Sequence, residues 1–149
     1  MKALAGKNIL ITRPEGQSDN LARLVREQGG NPILFPAIEI LPLENPTELA
    51  RIFARLEDHH LAIFVSANAV THSLPHLPRG WPKNVAVAAM GEGTAKALKA
   101  FGIDQVIVPK TGADSESLLE SAELKRVRGK KVLIFRGQGG RELLKQILV

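Results

Sequence analysis

Four times along this 149-residue chain, a run of apolar residues ends abruptly in a turn of small or polar ones. Leu61-Ala62-Ile63-Phe64-Val65 stops at Ser66-Ala67-Asn68, and Ile9-Leu10-Ile11 stops at Thr12-Arg13-Pro14. Val85 to Met90 runs into Gly91-Glu92-Gly93-Thr94, and Val132-Leu133-Ile134-Phe135 runs into Arg136-Gly137. A strand with one wet face alternates apolar and polar residues; a strand covered on both faces does not, and parallel strands under helices are of the second kind. The expected fold is therefore α/β, a mainly parallel sheet with flanking helices of flavodoxin-like type. Such sheets bind ligands outside the carboxyl ends of their strands, so the four turns are where function is expected.

The intervening segments carry helical patterns. Strands are expected at Ile9–Thr12, 61–66, 85–90, Gln105–Val108 and 131–136. A helix over Gln17–Gln28 presents Leu21, Leu24 and Val25 on one face and ends at Gly29-Gly30. Pro32–Leu41 is extended and interrupted by Pro36 and Pro42. Asn45-Pro46-Thr47-Glu48 is a helix start, and Leu49, Ile52, Phe53 and Leu56 give it a buried stripe. Later helices follow Ser66, follow Gly91 until about Gly102, follow a cap at Asp114 or Ser115, and follow Gly140.

Composition narrows the function classes. Hydrophobic residues make up 44% and charged ones 23%, which is globular, and the absence of cysteine removes disulfides and thiolate metal sites. That suits a reducing cytoplasm, and no apolar run approaches the ~18 residues of a membrane span. The net charge of +5 is uneven, with 8 Lys/Arg against 1 Asp/Glu in residues 125–149. One Trp, no Tyr and five Phe leave few stacking platforms, so a small polyanion suits this charge better than nucleic acid. His72 and His76 are four apart, but Pro75 between them argues against a shared helical face, and no metal is expected.

The turns carry what chemistry there is. Gly91-Glu92-Gly93-Thr94 offers backbone donors and a hydroxyl to an anion, although a helix cap accounts for it equally well. It is no dinucleotide fingerprint, because the third glycine would fall at Lys96. Arg136-Gly137-Gln138-Gly139-Gly140-Arg141 is a pliable backbone between two guanidiniums suited to carboxylates, without the Lys-Ser/Thr of a phosphate loop. Ser66 and Asn68 read as a helix cap or as a ligand contact. No nucleophile elbow or paired carboxylate stands out, so positioning and oriented dipoles are the expected means of any catalysis.

Taken in order, these motifs resemble the uroporphyrinogen-III synthase family. The resemblance runs through Ile11-Thr12-Arg13-Pro14 with Gln17, Leu21, Leu24 and Gly29, then Pro36-Ala37-Ile38-Glu39-Ile40 with Pro42. It continues through Ile63–Val70, the Gly91, Thr94, Ala95 and Leu98 helix start, Pro109, Ser117-Leu118-Leu119, and Lys131–Gly137. Departures are small: Val65 stands where a threonine is common, and His59-His60-Leu61-Ala62 replaces an aromatic-Asp lead into the strand.

The resemblance implies a cofactor-free lyase that converts hydroxymethylbilane to uroporphyrinogen III, losing water and inverting the terminal pyrrole. It also implies that Thr12 and Arg13 face a cleft from one domain, while Ser66, Ala67, Asn68, Gly93, Thr94, Gly137 and Gln138 face it from another. Thr94 is the candidate for assisting the leaving hydroxyl, and Arg141 is a further carboxylate partner.

In that family the first domain comes from the chain's beginning and its end. Residues 1–36 here match its first piece, 37–42 a crossover, and 43–149 most of the second domain without its last strand. A truncated chain of this kind is expected to lack synthase activity as a monomer and to self-associate, whereas a full-length enzyme is expected to be monomeric. A non-catalytic flavodoxin-like module binding anions or tetrapyrroles is the alternative.

Overall fold

The computed structural model describes residues 2–138 and 143–148. They divide into two compact units, Met1–Pro42 and Leu43–Val149.

The first unit is a single βαβ crossover. Strand β1 (Asn8–Ile11) and strand β2 (Asn31–Leu34) pair in parallel around helix α1 (Asp19–Glu27), with Leu10 opposite Ile33. Gly29, at a φ of +82°, turns the chain out of the helix, a left-handed conformation that glycine adopts without a Cβ clash. The small core is Ile11, Ala22 and Val25, with Leu4 and Ile9 against it. Here the structure departs from the expected helical face. Val25 is buried, but its inward neighbour is Ala22; Leu21 and Leu24 stay partly exposed, because a two-stranded sheet covers only a narrow stripe of the helix.

The second unit holds a four-stranded, wholly parallel sheet in the order β5-β4-β3-β6. Its strands are β3 (Leu61–Phe64), β4 (Ala86–Ala89), β5 (Val106–Ile107) and β6 (Val132–Phe135). Helices α2 (Pro46–Ala54), α3 (Ala67–Ser73), α4 (Glu92–Ala100), α5 (Ser115–Leu119) and α6 (Leu143–Leu148) connect and cover them. The α2 start is capped as its sequence predicts, with Asn45 accepting a hydrogen bond from the Thr47 N–H at 3.0 Å and Pro46 in the first turn.

Alternation along β3 sorts the core into two layers. Ala62 and Phe64 face one side with Val87, Ala89 and Phe135, beneath Leu49 and Phe53 of α2, Val70 of α3 and Leu98 of α4. Leu61 and Ile63 face the other with Ala88, beneath Leu118 of α5 and Leu144 of α6. All four β3 residues are buried, which is why that segment is apolar without alternation. The strands are one or two residues shorter at their ends than the apolar runs, since Val65, Met90 and Val108 lie just beyond the hydrogen-bonded ladder.

Candidate functional site

Sheet topology selects the carboxyl ends of β3 and β6. From β3 the chain moves to β4 and β5 on one side, then returns through α5 to place β6 on the other. Adjacent strands whose outgoing connections diverge leave a crevice between them, the usual ligand position in open parallel sheets. Ser66–Asn68 leaves β3 at this crevice, Gly137-Gln138 leaves β6, and Glu92–Thr94 leaves the neighbouring β4. Three of the sequence-derived motifs are therefore gathered on one sheet edge.

The side chains there have distinct duties. Ser66 Oγ accepts a hydrogen bond from the Ala69 N–H at 3.1 Å and caps α3. Replacing it by alanine is expected to lower stability by about 1 kcal/mol in urea denaturation, the ordinary worth of such a cap. A loss below a few tenths would mean that the hydroxyl is not committed to the helix. Ala67 is exposed and Asn68 half-buried, and Asn68 also accepts through its backbone carbonyl from the Thr71 hydroxyl at 3.3 Å.

Thr94 lies in the first turn of α4, behind Gly91 and the exposed Gly93. It is only 6% exposed, yet its hydroxyl has no hydrogen-bond partner among the described residues. No fully buried side-chain polar atom there is left unpaired, so this oxygen reaches accessible space. Gly137 and Gln138 are exposed, and Arg141 lies outside the described residues. Thr12 and Arg13, both exposed, follow β1 in the first unit, where the Thr12 carbonyl accepts from the Ala37 N–H at 3.2 Å.

A cavity of about 520 Å³ opens on the α5/α6 side of the same edge. Val65, Met90, Ile134 and Leu144 give it an apolar lining, and Ser115, Arg136 and Lys145 supply polar groups. Sequence reading missed this feature. It took Asp114-Ser115 only as a helix cap, which Asp114 is, accepting from the Ser117 N–H at 2.8 Å. Nothing local marks Ser115 and Lys145 as neighbours of Val65; only the fold does. Among the described residues no cluster of three or more His, Asp or Glu forms a metal site, and no helix is long and apolar enough to cross a membrane.

An open parallel sheet covered on both faces, with hydroxyl, amide and glycine-containing turns at its topological switch point, defines a doubly wound α/β unit. A family model described as "Uroporphyrinogen-III synthase HemD" matches residues 19–149. Uroporphyrinogen-III synthase of Escherichia coli K12 is 35% identical over 140 residues, covering 92% of this chain and 57% of that protein. The Salmonella typhimurium LT2 enzyme of the same name is 35% identical over 144 residues, covering 95% and 58%. In structure, a mutant uroporphyrinogen III synthase from the extremely thermophilic bacterium Thermus thermophilus superposes with a TM-score of 0.62 at 18% identity, over 96% of this chain and 57% of that one. The chain belongs to the uroporphyrinogen-III synthase family, and it spans a little under three-fifths of the length of these curated relatives, 57% and 58%.

Proposed function

We propose that this chain carries the second-domain wall of a uroporphyrinogen-III synthase site, together with the first strand-helix piece of the opposite domain. The reaction is closure of hydroxymethylbilane to uroporphyrinogen III with inversion of the terminal ring and loss of water. In this reading residues 1–36 belong to the first domain, 37–42 cross over, and 43–149 form the second. A full-length enzyme of this kind acts as a monomer, and the cysteine-free composition suits a reducing cytoplasm.

The observation that carries the reading is the Thr94 hydroxyl, held on a nearly buried residue at the sheet edge and left unpaired by the protein's described residues. Loss of the substrate's terminal hydroxyl leaves a cationic azafulvene and needs a hydrogen-bond donor at the departing oxygen. Thr94 supplies that donor. The backbones of Ser66–Asn68, Gly93 and Gly137-Gln138 hold the ring carboxylates, with Arg141 as a charged partner. Thr12 and Arg13, which follow β1, are further carboxylate contacts in this reading. Folding a flexible four-ring chain so that the inverted closure outruns the simple one is a matter of positioning.

The test uses the substrate's own instability. Hydroxymethylbilane closes spontaneously to the type-I isomer, and a protein that holds it withdraws it from that route. Excess purified chain is expected to slow type-I formation in a saturable way. Arg13→Ala is expected to weaken this effect, while Thr94→Ala leaves binding within about twofold and cuts any type-III product on the order of a hundredfold. Type-I formation at the rate of a protein-free blank would overturn the proposal.

A further inference from the structure

Gly91 joins β4 to α4 with a fully extended backbone, at φ −172° and ψ 177°. Any residue adopts that conformation, so the need for glycine lies elsewhere. A Cβ at Gly91 would lie 3.0 Å from the Ala113 Cβ, well inside the about 3.5–4.0 Å of ordinary carbon contact. The β4–α4 turn and the β5–α5 loop therefore meet backbone to side chain, closer than two side chains would allow. By contrast, a Cβ at Gly93 or Gly137 would meet nothing within 4 Å.

Both sides of this contact are held. The Met90 N–H donates to the Phe64 carbonyl at 3.1 Å, tying the residue before Gly91 to β3. The Gly91 carbonyl accepts from the Thr94 N–H at 3.1 Å and from the Ala95 N–H at 3.0 Å. Gly91 cannot shift without carrying the first turn of α4, and Thr94 with it. On the loop side, Gly112 turns at φ +76°, and a side chain there would collide with Ser117 Oγ. Asp114 caps α5 by accepting from the Ser117 N–H at 2.8 Å. Ala113 thus stands between two residues that pack on Ser117 of α5.

We infer that Gly91 and Ala113 are a positioning pair, through which the β5–α5 loop sets where the Thr94 hydroxyl stands. The inference rests on the reading of Thr94 as donor to the departing hydroxyl, and it adds the residues that hold that donor in place. Neither residue touches the substrate in this reading; they act through the first turn of α4. The effect of such a contact is large, because a misplacement of about 1 Å caused by a change away from the chemistry can cost on the order of a hundredfold in rate.

The experiment compares Gly91→Ala, Ala113→Gly and the double variant with the unaltered 149-residue chain, by amide hydrogen exchange and by the NMR signal of the Thr94 methyl group. The double variant moves one methyl group across the contact: the new Cβ at position 91 would stand 3.7 Å from the Cα at position 113, an ordinary separation. Gly91→Ala is expected to shift the Thr94 methyl signal and to speed exchange at Thr94 and Ala95 about tenfold, with Ala62 and Ile63 of β3 within about twofold of wild type. The double variant is expected to bring these signals back close to wild type, a coupling that a general loss of stability would not produce. Equal acceleration throughout the sheet, changes confined to Ala113–Ser117 with Thr94 unmoved, or no recovery in the double variant would overturn the assignment. If Gly91→Ala fails to fold, Ala113→Gly decides alone, since it removes the contact without crowding it. Thr94 and Ala95 are then expected to exchange about threefold faster, and unchanged rates would overturn the assignment. Hydroxymethylbilane takes no part in these measurements. Slowed type-I closure without the coupling strikes the pair and leaves the synthase reading standing; coupling with closure at the blank rate strikes the synthase reading, and with it the role that Thr94 is positioned for.

Discussion

Phe64→Ala is expected to destabilise the second unit by about 3–5 kcal/mol, a large share of the roughly 5–15 kcal/mol that holds a domain of this size together. Phe64 is fully buried on the central strand, and its ring stacks on Phe135 of the adjacent strand, centroids 4.5 Å apart and planes 4° from parallel. Phe53 from α2 also stacks on Phe135 at 5.8 Å, and Trp81 tilts against Phe64 at 5.9 Å. Deleting the Phe64 ring therefore leaves a cavity bordered by Phe135 of β6 and by Trp81, and the parallel ladder hinders β3 and β6 from collapsing into it. Urea unfolding followed by Trp81 fluorescence measures the loss directly, since the indole sits against the deleted ring. Phe101, a phenylalanine 45% exposed after α4, is the control: its alanine variant is expected within about 0.5 kcal/mol of wild type. A Phe64→Ala loss below about 1 kcal/mol would show that the two-layer core is not what stabilises this unit.

The same strand explains what was legible in the sequence. A segment buried on both faces has to be apolar throughout, so Leu61–Phe64 announces both its conformation and its central place in the sheet. Cap chemistry is equally readable, because Asn45, Ser66 and Asp114 each satisfy a backbone N–H within three residues of themselves. Faces that depend on what lies opposite are not readable. Leu21 and Leu24 have the right helical spacing, yet only Val25 of the expected trio is buried, with Ala22 beside it, because β1 and β2 are the only strands of their sheet among the described residues.

The candidate site divides along the same line. Its turns could be found one by one, since a strand end and a helix start are local features. Their meeting at one edge depends on β6 returning beside β3, a long-range event that no local pattern records. Ser115 shows the cost of reading locally. It follows an N-cap aspartate and looks like part of the cap, yet the cap bond belongs to Asp114, and the serine hydroxyl is left for the cavity.

The first unit leads to the remaining prediction, that the 149-residue chain self-associates through it. On β1, Ile9 and Ile11 join the α1 core, so the strand's alternation turns Leu10 to the opposite face, where its register partner is Ile33. Leu10 is 58% exposed and Ile33 44%, and the segment after β2 adds Phe35 at 62% and Ile38 at 60%. Isolated two-stranded sheets are marginal in water, and contiguous apolar patches of this kind seek cover. A second copy offers the same patch, and in a two-fold arrangement each residue position contributes twice, once from each copy. Leu10→Lys combined with Ile33→Glu is therefore expected to weaken association by far more than tenfold, since each large aliphatic residue contributes about 1.5–3 kcal/mol on burial. Sedimentation of both proteins across a hundredfold concentration range checks this, with circular dichroism to confirm that the variant stays folded. A wild-type chain that remains monomeric throughout that range would refute the prediction.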